Sequence, residues 1–306
     1  MGLIPETFAR STIDREGEAG RSWLAELPAI VDDLLARWGC TRDGDVVHGQ
    51  VGVVVPVRRA SGPAVLKVSF PHPGNVHEPD AFAAWGGNGA VLLYERDDER
   101  FAMLLERAHP STLREVGDGD EIAAVAGQLS RRLSIPAPAG LPRMADQADG
   151  WAEELRTGVA DFPGAVPVAA VDAALAVVDE LGREQPDLLV HGDFHPRNIL
   201  RGEREPWLAV DPKGAVGDPA YDGATLLKPR ALALIESDDL TKALRHELDV
   251  FAEAAELDRE RVRRWAHVQF VQAAFHGRRH GFGRARGGPN LDRIIAIVDQ
   301  LAVSWC

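Results

Sequence analysis

The sequence predicts an α+β chain in two parts: a strand-rich first third and a mainly helical remainder. Three observations carry this. Valine-rich runs broken by glycine and proline turns crowd residues 46–106. From residue 120 onward, apolar residues recur at helical spacing. Between the two, the last strand runs into Glu106-Arg107-Ala108-His109-Pro110, where proline ends regular structure. The expected lobes are residues 1–106 and residues 107–306.

The first part opens with a helix over Glu18 to Trp38. Trp23, Leu24, Leu27, Ile30, Val31, Leu34, Leu35 and Trp38 share one face, and Gly39 ends it. Val46 to His48 and Val51 to Arg58 read as strands turning through Gly49 and Gly52. Ala64 to Phe70 follows the Ser61-Gly62-Pro63 turn. A short helix spans Glu78 to Trp85 and stops at Gly86-Gly87. Two further strands, Ala90 to Tyr94 and Phe101 to Glu106, flank a charged turn.

In the second part, Asp120 to Leu133 and the alanine-rich Val168 to Leu181 read as helices. Short apolar strands, Leu188 to Val190 and Trp207 to Val210, flank a polar segment. Helices over Leu240 to Ala255, Arg261 to His276 and Leu291 to Val303 complete the chain. No internal repeat or low-complexity segment interrupts this order.

Composition narrows the function. The chain is 306 residues long, 45% apolar and 26% charged, as ordinary globular proteins are. It has no apolar run long enough for a membrane span and no signal core, so a cytoplasmic protein with no membrane partner is expected. The net charge of −13 argues against nucleic acid and is compatible with a cationic small-molecule partner. Cys40 and Cys306 stand far apart without metal or redox spacing and read as two free thiols. Lysine occurs only at Lys67, Lys213, Lys228 and Lys242, which makes each worth locating. A monomer is expected.

The chemistry concentrates in His191 to Asn198. A strand delivers the chain, Gly192 permits a tight turn, and Asp193 follows. Pro196 stiffens the loop, Asn198 returns five residues after Asp193, and the next apolar run ends in Asp211. One carboxylate to meet an acceptor hydroxyl, with an amide and a second carboxylate to hold magnesium, is the minimum set of a kinase-type phosphotransferase. The rival use is a zinc hydrolase, because His191, Asp193 and His195 form H-x-D-x-H. Gly192 and Pro196 argue against the regular strand that would put these three on one face.

These residues resemble those of the aminoglycoside phosphotransferase family, which has a two-lobed protein-kinase-like fold. HGDFHPRNIL is similar to its catalytic loop and DPKG, at Asp211, to its metal segment. VHGDFHPRNIL with DPKGAVGDPAYD resembles the streptomycin 6-kinase and hydroxyurea-kinase branch more narrowly, and the tryptophan-rich early helix, AWGGNGAVLLYERD and EREPWLAVDP are also similar to that branch. DPKG is not the DFG of protein kinases, so activation-loop switching is not carried over.

The resemblance implies roles residue by residue. Asp193 would be the catalytic base, and Asn198 and Asp211 would hold Mg2+. Lys67, in AVLKV, would hold the phosphates of ATP, with Glu78 as its helix partner or merely a helix-start glutamate. Gly49 and Gly52 could let a hairpin cover the phosphates, although HGQVG is a poor match to a kinase glycine loop. Glu106 to Ala108 would bind adenine through backbone groups. Arg197 would touch the transferred group or sit on the surface, and Lys213 would contact phosphate or be exposed. Asp218 and Asp222 would brace the loop through local hydrogen bonds.

The implied activity is ATP-dependent phosphorylation of a hydroxyl on a streptomycin-like antibiotic. Hydroxyurea, an amino sugar or another small hydroxyl compound is the alternative acceptor. A non-catalytic nucleotide-binding protein and a zinc hydrolase are more remote readings. Glu153, Glu154, Asp249 and Glu253 are the acidic candidates for recognising a cationic acceptor.

Overall fold

The computed structural model describes residues 3–234, 237–280 and 289–304. Cys306 lies outside them, whereas Cys40 is a buried free thiol. In chain order the elements are α1 (Glu6–Arg37), β1 (Thr41–Arg42), β2 (Val47–His48), β3 (Gly52–Arg59), β4 (Gly62–Ser69), α2 (Glu78–Trp85), β5 (Leu93–Asp97) and β6 (Ala102–Glu106). Then follow α3 (Gly119–Leu133), α4 (Ala148–Asp161), α5 (Val168–Val177), β7 (Leu188–Val190), β8 (Ile199–Arg201), β9 (Trp207–Ala209), β10 (Ala215–Gly217), α6 (Ala220–Ala233), α7 (Leu240–Ala255), α8 (Arg259–His280) and α9 (Pro289–Ser304). Two compact units result. The first comprises Met1–Pro110 with Leu200–Lys213, the second Ser111–Ile199 with Gly214–Cys306.

The first unit is an antiparallel sheet in the order β1-β3-β4-β6-β5, with β2 also paired to β3. Strand alternation assigns its faces. Val53, Val55 and Val57 of β3, Ala64, Leu66 and Val68 of β4, and Ala102 and Leu104 of β6 are buried together under Trp23, Leu24, Leu27, Val31 and Leu34 of α1. Lys67 pairs with Val54 on one side and Met103 on the other, so it lies on the opposite face. The apolar stripe of α1 thus fixes which face of β4 presents the lysine. Shifting β4 by one residue would turn Lys67 into the core.

The two-residue β1 is absent from the sequence expectation, and two expected elements of this unit have shifted starts. α1 begins twelve residues earlier than the Glu18 start, and it is interrupted at Gly17, where φ is 62° and ψ is −130°. Polar residues dominate 6–16, but Phe8 and Thr12 are buried and supply the anchoring that spacing alone does not signal. β5 begins at Leu93 rather than Ala90. The backbone before it is occupied elsewhere: Ala90 bridges Ala209, and Val91 donates to Ala209 O at 3.2 Å.

The second unit is built around α8, whose Val262, Trp265, Ala266, Val271, Ala274 and Phe275 are buried. α3 lies close against α7. A Cβ on Gly127 would come within 2.5 Å of Phe251 O, so glycine sets that approach. β7 pairs antiparallel with β10, bringing Val190 opposite Ala215. The helices α4 and α6 are absent from the sequence expectation. Gly150 and Gly158 in α4, and Gly223 and Pro229 in α6, weaken the local signal, and tertiary packing overrides it. Gly158, for example, packs on the Phe275 ring.

Candidate active site

The first unit gathers three of the expected residues. Lys67 Nζ donates to Glu78 Oε1 at 2.5 Å and to Asp211 Oδ1 at 2.6 Å. β4 supplies the lysine, the first turn of α2 the glutamate, and the segment after β9 the aspartate. Glu78 is 1% exposed and Lys67 12%, whereas Asp211 is 42% exposed. Asp211 has φ of 61°, a left-handed conformation that β-carbons disfavour and that functional sites often retain.

The charges of this trio do not balance, and burial decides how. Burial pulls the Lys67 ammonium's pKa down, but the Glu78 and Asp211 carboxylates more than offset it, so the group is held above its ordinary value and stays charged. One ammonium cannot neutralise two carboxylates. Burial raises the Glu78 carboxyl to about 7, with Lys67 opposing the rise and Asp211 adding to it. The buried Glu78 therefore holds a proton at mildly acid pH.

Gly49 and Gly52 bound a tight turn in which Gly49 N–H donates to Gly52 O at 3.0 Å. A Cβ on Gly52 would meet Ser69 Oγ at 2.7 Å and Val68 O at 2.8 Å, while one on Gly49 would meet nothing within 4 Å. Glu106 ends β6. Its N–H donates to Leu92 O at 2.8 Å, and its side chain accepts from Leu92 N–H and Arg204. Ala108 follows, half-buried, and Arg107 ties this stretch to Ala64 O, Val57 O and Asp43. Arg204, to which no sequence pattern gives a role, also donates to Ala90 O at 2.8 Å.

The second unit holds the loop that follows β7. Asp193 O accepts from both His195 N–H and Asn198 Nδ2 at 3.0 Å, and Asn198 N–H donates to His195 O at 2.8 Å. Phe194 is fully buried and Pro196 and Ile199 are buried, so the apolar residues anchor the loop beneath its polar ones. Asp222 braces it from α6: Oδ2 accepts His191 N–H at 3.0 Å and Oδ1 accepts Gly192 N–H at 2.9 Å. The brace is not local, since its partners lie about thirty residues upstream. Burial pushes the Asp222 carboxyl up to about 7, opposed by those two backbone N–H groups. Asp218 does bond locally, to Ala220 N–H, but it also accepts from Trp265 Nε1 and Arg261. Arg197 is exposed.

The donor set suits a hard cation. Asn198 of the second unit commits its Nδ2 to Asp193 O, which turns its amide oxygen into the hard donor atom it can offer, and Asp211 of the first unit carries a carboxylate, a donor of the same kind. His191 is buried, with Nδ1 accepting Asp193 N–H, and His195 Nε2 is 3.8 Å from Asp193 Oδ1. Among the described residues no group of three or more His, Cys, Asp and Glu side chains is arranged to hold a metal. Of the acidic candidates for an acceptor, Asp249 pairs with Arg263 and Glu253 with Arg259. Glu153 accepts from Thr157 and Glu154 from Gln272. No helix of the described residues is long and apolar enough to cross a membrane.

A strand lysine paired to a helix glutamate, an aspartate after a short hairpin, and a braced Asp-x4-Asn loop are the equipment of a phosphotransferase of the protein-kinase-like fold. Comparison with solved structures agrees on the fold. A ternary complex of aminoglycoside phosphotransferase APH(4)-Ia with ADP and hygromycin B superposes with a TM-score of 0.58 at 14% identity, over 90% of this chain and 96% of that one. The choline kinase LicA from Streptococcus pneumoniae gives 0.53 at 12% identity, over 92% and 98%.

Residues 37–281 match the family described as aminoglycoside/hydroxyurea antibiotic resistance kinase, and the chain belongs to that family and is a phosphotransferase. It is 37% identical over 274 residues to streptomycin 6-kinase of Streptomyces glaucescens, covering 89% of each chain. It is 36% identical over 278 residues to hydroxyurea phosphotransferase of Kitasatospora aureofaciens, covering 88% of this chain and 78% of that one.

Proposed function

We propose that the chain is an ATP-dependent O-phosphotransferase whose acceptor is a streptomycin-like aminoglycoside. The observation that carries this is similarity to streptomycin 6-kinases over 88–89% of the chain. A second such enzyme, from Streptomyces griseus, is 38% identical over 272 residues. The hydroxyurea phosphotransferase at 36% supports hydroxyurea as the alternative acceptor.

In this reading residues 1–106 form the nucleotide-binding lobe, and residues 107–306 carry the catalytic loop and the acceptor site. Lys67, steadied by Glu78, holds the phosphates of ATP. The Gly49–Gly52 turn covers them with backbone N–H groups, Arg197 contacts the transferred group, and backbone groups of Glu106 and Ala108 take adenine. Asn198 and Asp211 would hold Mg2+, whose chemistry is to neutralise charge on the phosphates. Asp193 accepts the hydrogen bond of the acceptor hydroxyl and aims its oxygen at the γ-phosphorus. The new O–P bond forms as the bond to the β-phosphate oxygen breaks, ADP leaves, and the hydroxyl proton passes to the Asp193 carboxylate. Positioning supplies most of the acceleration. The acidic net charge is compatible with a guanidinium-bearing acceptor. The protein is proposed to be cytoplasmic.

The test is ATP consumption against streptomycin, other aminoglycosides, hydroxyurea and amino sugars. Streptomycin should raise turnover most. Stimulation by hydroxyurea alone would favour the alternative, and a flat panel would remove the assignment.

A further inference from the structure

The helical segment before the break in α1 makes a set of contacts that the nucleotide reading does not explain. Arg15 Nη1 donates to Gln50 O at 2.9 Å. Thr7 Oγ1 and His48 Nε2 are 3.2 Å apart, and His48 Nδ1 is 2.9 Å from Gly49 O. The buried Phe8 ring lies 5.3 Å from the His48 ring and packs edge-on against Trp23 at 6.0 Å. All these contacts converge on the turn between β2 and β3. The family match begins at residue 37, after this segment.

The consequence for the turn is electrostatic. Its successive carbonyls each have a partner: Gly49 O has the His48 ring, Gln50 O has Arg15, and Val51 O accepts Phe70 N–H at 2.7 Å. A polyanion approaching such a turn meets carbonyl oxygens whose negative ends are already screened by donors. The Arg15 guanidinium adds positive charge beside it, tempered by Glu16 at 2.5 Å. At Gly17, φ of 62° with ψ of −130° lets the segment leave the axis of residues 18–37 and reach the turn.

We propose that Glu6 to Glu16 is a strap that holds the Gly49–Gly52 turn in its phosphate-receiving form. Arg15 and Thr7 are positioning residues and Phe8 is the apolar anchor. The inference rests on the reading of that turn as the nucleotide's phosphate cover.

Steady-state kinetics with the full chain separates the two ideas. Arg15 is exposed, so Arg15→Ala should leave the melting temperature unchanged. The KM for ATP should rise about fivefold, the scale of one net intramolecular hydrogen bond at an exposed site, with kcat and the acceptor KM unchanged. Arg15→Lys should restore part of the loss. Thr7→Val, which changes no charge, should give a smaller rise in the same direction. Gly49→Pro, which deletes the N–H bonded to Gly52 O, reports on the turn itself. If Gly49→Pro raises the KM for ATP and Arg15→Ala does not, the strap is refuted and the phosphate turn stands. If neither raises it, the turn reading fails and the strap falls with it. Equal losses in kcat and both KM values for Arg15→Ala, or no effect of Thr7→Val, would also overturn the strap.

Discussion

The lysine trio of the first unit and the braced loop of the second each present a carboxylate to which the proposed reaction gives a role, but different forces hold them. Lys67 is fixed by two carboxyl groups at 2.5 and 2.6 Å around one ammonium, in a largely buried setting. The loop is fixed by dipoles: Asp222 gathers two backbone N–H groups, and Asp193 O gathers another plus the Asn198 amide. A charge network depends on which groups are ionised and loses stability when a partner is removed. A dipole clamp fixes backbone geometry and transmits its failure to the reactive side chain. The two regions should therefore respond oppositely to substitution, one mainly in stability and the other mainly in rate.

The largest effect should fall on the loop's own carboxylate. Asp193 is half-exposed, and its backbone carries the loop's bonds, so Asp193→Asn keeps the fold while removing the proton acceptor. We expect kcat to fall about 10³-fold with the melting temperature unchanged. Full activity in the variant would end the assignment of Asp193. Next comes Lys67→Met, which leaves Glu78 buried without its counter-ion and should cost about 3 kcal/mol in chemical denaturation. If stability holds while only the KM for ATP rises, the trio is less dependent on charge than its geometry implies.

Asp222→Asn tests the clamp. One backbone N–H then faces an amide NH2 instead of an oxygen, but a buried carboxylate is also relieved of its desolvation cost. These oppose each other, so stability should change by less than about 1 kcal/mol. Displacing the loop should still lower kcat by about tenfold. A large loss of stability with kcat intact would erase the contrast between the two regions.

How much of this the sequence discloses follows the same division. The loop is legible because its parts are contiguous: Gly192, Asp193, Pro196 and Asn198 carry turn chemistry and the proposed polar groups within seven residues. Lys67 and Glu78 are singled out only by the resemblance of AVLKV to a kinase strand, because a lysine on a strand and a glutamate at a helix start are by themselves ordinary. Asp222 was placed in a bracing role, but its partners could not be named, because nothing in GDPAYD points thirty residues upstream. Arg204 and the strap stayed hidden for a related reason. Arg204 reaches Glu106, 98 positions away, and Arg15 reaches Gln50, 35 away, each through one flexible side chain that leaves no periodic trace. Helix α6 was obscured by its own Gly223 and Pro229.

The smallest effect is the dependence of stability on pH, and it separates the two regions by group. Glu78 and Asp222 are both raised to about 7, so between the ordinary carboxylate range and pH 7 the folded state holds more protons than the unfolded chain. Stability must then fall as pH rises through that window and level off above it. Glu78→Gln keeps an oxygen for the Lys67 ammonium but cannot ionise, so it should flatten part of the fall between pH 5 and 7. Adding Asp222→Asn should flatten it further, and the slope left in the double variant belongs to His267, held below its ordinary value by burial, and His246, held above it by Asp120. Urea midpoints measured at pH 5, 6, 7 and 8 for the three proteins decide it. Stability that rises over this range in the parent protein would mean that the Lys67 ammonium keeps both of its carboxylates ionised, and the proton assigned to Glu78 would have to be withdrawn.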